Sequence, residues 1–139
     1  MKEISNILEV HHIRPTAMRI LALHFLKQQH AAISLSDIEN GFEKSDRTTL
    51  YRTLKTFEDK GLVHQIDDGS GIPKYAINKP KKSANDVHLH FHCTKCGETL
   101  CLTEHQLSKI NLPENFIPEE FNLVVKGLCS KCNNPTFLK

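Results

Sequence analysis

A chain of 139 residues accommodates one large domain or two small ones, and with 39% apolar residues and no Trp any core is modest, so two small domains would need help such as a bound metal. The net charge of +2 excludes a uniformly basic nucleic-acid binder and leaves only a local basic patch. No apolar run is long enough for a bilayer, and "MKEISNILEV" carries acids where a signal peptide would have bases, so a soluble, cytoplasmic protein is expected.

Residues 2–10 predict a short helix with Ile4, Ile7 and Leu8 on one side. "PTAMRILALHFLKQQ" predicts a second, with Pro15 in its first turn and Ile20, Leu21, Leu23 and Phe25 as its apolar face. "SLSDIENGF" predicts a third, capped by Ser34 or Ser36, with Ser36 and Glu39 at capping-box spacing. "SDRTTLYRTLKTFEDKG" follows, with Ser45 or Asp46 as cap and Gly61 as terminator. Its Leu50, Leu54 and Phe57 recur at i, i+4 and i+7 and so face a core. The opposite side presents Arg47, Thr48, Tyr51, Arg52 and Lys55, side chains that bond phosphates and base edges. "LVHQI" and "KYAI" around "DDGSG" predict a hairpin. Helices ending in a polar-faced one, then a hairpin, make a winged helix-turn-helix.

"NKPKKSAND" (78–86) is polar, with one Pro and three Lys, and predicts a hinge over 79–86 between a domain at 1–78 and another at 87–139. Beyond it "VHLHFHC", "ETLCL" and "NLVVKGLC" predict strands, and "EHQLSKI" a helix between the last two. The expected fold class is therefore α+β: a winged helix followed by a small α/β domain.

Four of the five cysteines form two C-x-x-C pairs, Cys93 with Cys96 and Cys129 with Cys132. In a reducing compartment this pattern favours a closed, structural zinc site over disulfides. Three histidines precede the first pair at alternate positions, so His88, His90 and His92 share one face of a strand. No H-E-x-x-H, no H-x-E with P-C-x-x-C and no Gly-rich loop opening a helix occurs, so an enzyme is not expected.

With these residues in view the chain resembles the ferric uptake regulator (Fur) family of metal-dependent repressors. "IRPTAMRILAL" is similar to the family's opening pattern, "DRTTLYRTLKTFEDKGLV" to its recognition helix and wing, and "HLHFHCTKCG" with "GLCSKC" to its zinc-bearing dimerisation domain. The resemblance implies a homodimeric transcriptional repressor of metal homeostasis genes that binds an A·T-rich inverted repeat of double-stranded DNA. It implies that a second, regulatory divalent metal sets the angle between the domains. Carried over by position, Tyr51 and Arg52 contact bases or backbone and Arg14 approaches the minor groove; Arg47 and Thr48 are added from helix phase, and Lys55 lies on the same face.

His88 and His90 fall on the family's regulatory-ligand positions, and His64 where its zinc-sensing (Zur-like) branch places a wing ligand. Cys101 lies where relatives often have a glutamate; Glu104, Asp86, His92 and His30 are further donors. Iron-sensing members carry acids where this chain has Leu89 and Ala76, and a histidine where it has Phe121. Imidazole and thiolate donors make Zn2+ the preferred regulatory metal, with Fe2+ or Mn2+, or peroxide sensing, as the alternative within the family. A constitutive transcription factor with structural zinc only is the alternative outside metal sensing. No membrane and no small organic substrate is expected as a partner.

Overall fold

The computed structural model describes residues 2–42, 46–78, 89–102, 111–119 and 123–133. The chain divides into two compact units, Met1–Asn78 and Lys79–Lys139.

In the first unit, α1 (Lys2–Val10) buries Ile4 and Leu8, and α2 (Ala17–Lys27) buries Ala22, Leu23 and Leu26. The α2 face differs from the expected one: Ile20 and Phe25 pack at its margin, while Leu21 is 46% exposed. Nor does Pro15 enter the helix. Thr16 is the N-cap, accepting from the Arg19 N–H, and Pro15 precedes it.

A two-residue strand β1 (Ile33–Ser34), absent from the sequence reading, leads into α3 (Leu35–Asn40). Ser34 is the cap of α3, and the capping box joins it to Asp37 rather than Ser36 to Glu39. The α3 C-cap is Gly41, where a Cβ would clash with the ring of Phe25 from α2, so any larger residue would have to displace that ring.

Asp46 caps α4 (Arg47–Asp59), accepting from the Thr48 N–H at 3.1 Å and the Thr49 hydroxyl at 3.0 Å. Leu50, Leu54 and Phe57 are fully buried, and Gly61 ends the helix region in the left-handed conformation at φ +78°. Strands β2 (Val63–Ile66) and β3 (Lys74–Ile77) pair antiparallel, and β1 adds to β3, giving the order β1-β3-β2. One core joins α1 to α4 with Val63 and Tyr75 of the hairpin. The result is a winged helix-turn-helix, with α3 and α4 as its helix pair and β2–β3 as its wing.

The second unit carries β4 (Leu89–Cys93), β5 (Thr99–Cys101) and β6 (Leu123–Gly127) in the order β5-β4-β6. β5 runs antiparallel to β4 and β6 parallel to it. The hinge expected at 79–86 and the helix expected from "EHQLSKI" lie outside the described residues. Among the described residues no helix is long and apolar enough to cross a membrane.

Candidate metal centre and nucleic-acid interface

The parallel pairing of β4 and β6 is what assembles the cysteines. Their register sets Cys93 opposite Gly127, so both strands deliver the turns that follow them to the same end of the sheet. The Thr94 N–H donates to the Gly127 carbonyl at 2.8 Å, and Gly97 at φ +81° closes the first turn. The Sγ atoms of Cys93, Cys96, Cys129 and Cys132 consequently lie within 4.8 Å of one another. Cys96 Sγ and Cys129 Sγ are 3.8 Å apart, which is the edge of a tetrahedron with metal–sulfur bonds of about 2.3 Å.

The chemistry of the cluster favours a cation. The N–H groups of Cys96 and Cys129 donate to Cys93 Sγ at 3.4 and 3.5 Å and hold that thiol down at about 5. Burial, with the neighbouring thiols added, pushes Cys132 up to about 12. Crowded together, Cys93 and Cys132 are thus driven in opposite directions, whereas a divalent ion would let all four thiols bind as thiolates. The donor set, four thiolates positioned for a tetrahedron, fits zinc. Lys131 lies 3.3 Å from Glu98, tying the second cysteine turn to the residues after the first.

His90 and Cys101 are directly opposite across β4 and β5, so their side chains share one face of the sheet. His90 is buried and Cys101 half-buried. His92, opposite Thr99, has its Nδ1 3.0 Å from the Thr99 hydroxyl. His64 sits on β2 of the first unit, half-buried, with Nδ1 bonded to Asn78 Oδ1. His30 is exposed in the bend after α2. His88, Asp86 and Glu104 lie outside the described residues.

On α4, Arg47, Thr48, Tyr51, Arg52 and Lys55 are all exposed, on the side away from Leu50, Leu54 and Phe57. Tyr51 is half exposed (51%), so its ring and hydroxyl are accessible on this face. Arg47 reaches back to α3, 3.3 Å from Ser36 Oγ and 3.5 Å from Glu39. Lys55 lies 3.6 Å from Glu58 and 3.7 Å from Asp59. The positive end of the exposed face is therefore its amino-terminal half. Arg14, exposed before α2, offers its carbonyl to the Arg19 guanidinium at 3.0 Å.

The model of the ferric uptake regulator family matches residues 11–125. The chain belongs to the ferric uptake regulator family. Members of this family are DNA-binding transcriptional regulators, not enzymes. A ferric uptake regulation protein of Bacillus subtilis is 28% identical over 92 residues, 61% of this chain, and the match spans only 58% of that relative's length. The ferric uptake regulation protein of Neisseria gonorrhoeae is 29% identical over 147 residues, covering 95% of this chain and 96% of its own. Among solved structures, a zinc uptake regulator complexed with zinc and DNA superimposes with a TM-score of 0.65 at 18% identity, over 94% of this chain and 91% of that one; it shares the fold. For this Fur-family chain the fold is an N-terminal winged helix-turn-helix followed by a small α/β domain whose four cysteines are positioned to hold a zinc ion.

Two residues take roles around these sites that the sequence does not announce. Glu39 was assigned to a capping box, yet its carboxylate faces Arg47; no spacing rule links residues on different helices. Asn78 was placed at the start of the hinge, yet it holds His64. An Asn directly after a strand can serve as a local cap, and that was its one sequence signal.

Proposed function

We propose that this Fur-family chain is a homodimeric, metal-responsive transcriptional repressor that reads an A·T-rich inverted repeat through α4, with zinc as the preferred regulatory metal and metal homeostasis genes as its targets. The observation that carries the reading is the division of α4: Leu50, Leu54 and Phe57 fully buried, and Arg47, Thr48, Tyr51 and Arg52 exposed on the other side. Side chains of these types hydrogen-bond to base edges and phosphates. A two-fold dimer presents two such helices to half-sites about one turn of DNA apart.

Cys93, Cys96, Cys129 and Cys132 hold a structural zinc. His90 and Cys101 hold the regulatory metal together with His64 and His88, one nitrogen- and sulfur-rich set that suits zinc better than manganese. When bound, that metal supplies a preference for the DNA-competent form, which shifts its population. His92, His30, Glu104 and Asp86 are the remaining donors. Arg14 approaches the minor groove, and the protein works in the cytoplasm.

The test is fluorescence anisotropy on an A·T-rich inverted repeat from the protein's own promoter. A mild chelator strips the weaker site, then buffered zinc, ferrous iron and manganese are added back separately. A sharp gain in affinity at the lowest free zinc supports the reading. A gain with iron or manganese at its physiological level, and none with zinc, replaces the metal. No change with any metal leaves a constitutive zinc-stabilised factor.

A further inference from the structure

Asn78, the last residue of the first unit, makes three hydrogen bonds that converge on the end of α4 and the start of the wing. Its backbone N–H donates to the Leu62 carbonyl at 2.9 Å. Its side-chain Nδ2 donates to the Gly61 carbonyl at 2.8 Å, and its Oδ1 meets His64 Nδ1. The Gly61 contact settles which way the amide faces. A carbonyl only accepts, so the –NH2 group must point to Gly61 and the oxygen to His64. An amide oxygen only accepts as well, so His64 Nδ1 must carry the proton.

We infer that Asn78 is a positioning residue for His64: it holds the imidazole in the Nδ1–H tautomer and thereby makes Nε2 the metal-donating atom. The inference rests on the reading of His64 as a regulatory ligand. Histidines that bind metals usually donate their second ring N–H to a carboxylate or carbonyl, which fixes ring orientation and raises ligand basicity. Asn78 does this with an oxygen already anchored to Gly61, the left-handed residue that follows the recognition helix. An imidazole ligated through Nε2 donates more strongly from Nδ1, so it grips Asn78 more firmly and, through the same amide, the helix terminus. Asn78 thus links a metal-binding nitrogen to the end of the DNA-reading element.

The experiment uses the full chain with its four-cysteine zinc in place. Zinc affinity of the second site is measured by competition with a chromophoric chelator, and the His64 ring nitrogens are followed by 15N NMR in the metal-free form. Asn78→Ala should weaken zinc binding roughly 10- to 100-fold and let His64 populate both tautomers. Asn78→Asp keeps the acceptor for His64 but loses the donor to Gly61, so it should restore wild-type affinity or better. If Asp weakens binding as much as Ala, the role of Asn78 is only to hold the helix end, and the inference is overturned. A wild-type His64 carrying its proton on Nε2 overturns it as well. In His64→Ala, unchanged zinc affinity would remove His64 from the metal site and overturn the inference by way of the ligand reading; an Nδ1–H tautomer in the wild type would then show that the hydrogen bond itself was read correctly.

Discussion

Asp68 carries a carboxylate with no exposed side-chain surface, inside the turn of the wing. Lys74 Nζ lies 2.8 Å away with only 13% of its side chain exposed, and the Ser70 N–H donates to the second carboxylate oxygen at 2.9 Å. A desolvated ion pair is tolerable only when its lone pairs are met in this way, and removing one partner then costs far more than breaking a surface pair. The contrast within this chain is Lys27 with Glu3. The two are 3.0 Å apart, and the hydrogen bond from Lys27 lowers the Glu3 carboxyl from its usual value, yet Glu3 is well exposed and the pair adds little to stability. Asp68→Ala should therefore destabilise the winged helix by about 3 kcal/mol, read as a shift of the urea midpoint at unchanged slope. A loss below about 1 kcal/mol would mean that Lys74 reaches water easily and the pair matters no more than a surface one. The pair also has a functional consequence. Lys74 is committed to the wing, and Asp67, beside Asp68 in the chain, is an exposed acid, so the wing turn is poorly suited to phosphate, in keeping with the proposal that α4 makes the contact.

At the scale of elements the two units hold together by different means. The helices of the first unit share a continuous apolar core with the hairpin. In the second unit the buried residues among those described are Cys93, Cys129, His90 and Thr99, while Val125 and Leu128 are 48% and 46% exposed. Two of these four buried residues belong to the cysteine cluster, so a bound metal would supply much of what holds the described sheet, and its binding energy in small zinc domains is of order 10 kcal/mol. Removing zinc with a strong chelator, or the variant Cys129→Ser, should abolish amide-exchange protection in β4, β5 and β6 while protection in α1–α4 persists. Equal protection of the sheet with and without zinc would defeat this account. The same contrast explains what was legible in the sequence. α4 was readable because three local signals agree: Asp46 at its start, Gly61 at its end, and Leu50, Leu54 and Phe57 between them. α2 was read imperfectly because Leu21 is as apolar as Leu23; tertiary packing selected Ala22 and Leu26 instead. β1 is two residues long and exists by pairing Ile33 with Tyr75, a contact no local pattern announces. The C-x-x-C spacing pointed to the four-cysteine cluster, but the parallel register that joins its halves was not written in either motif. Asn78 was missed because its importance lies in a side-chain bond to His64, fourteen residues earlier.

For the whole molecule the balance of 18 basic and 16 acidic residues leaves little long-range attraction to DNA, so affinity must come from a few placed cations. Arg14, Arg47 and Arg52 are exposed in the first unit, and on the proposed dimeric reading they would make roughly six phosphate or base contacts. Lys55, shared between Glu58 and Asp59, adds less. Arg47 is also paired, with Glu39, but at 3.5 Å and largely exposed this pair is worth so little that exchanging Glu39 for a phosphate is nearly free. Six contacts imply that the logarithm of the binding constant falls with the logarithm of salt at a slope of about −5. Arg47→Ala should flatten that slope by about 1 per protomer and weaken specific and non-specific DNA alike, as loss of a backbone contact does. A loss confined to the inverted repeat, with the salt slope unchanged, would move Arg47 from phosphate to a base edge. A salt slope near zero in the wild type would mean that cations on α4 do not bring the protein to DNA, and the reading of its exposed face would fall with it.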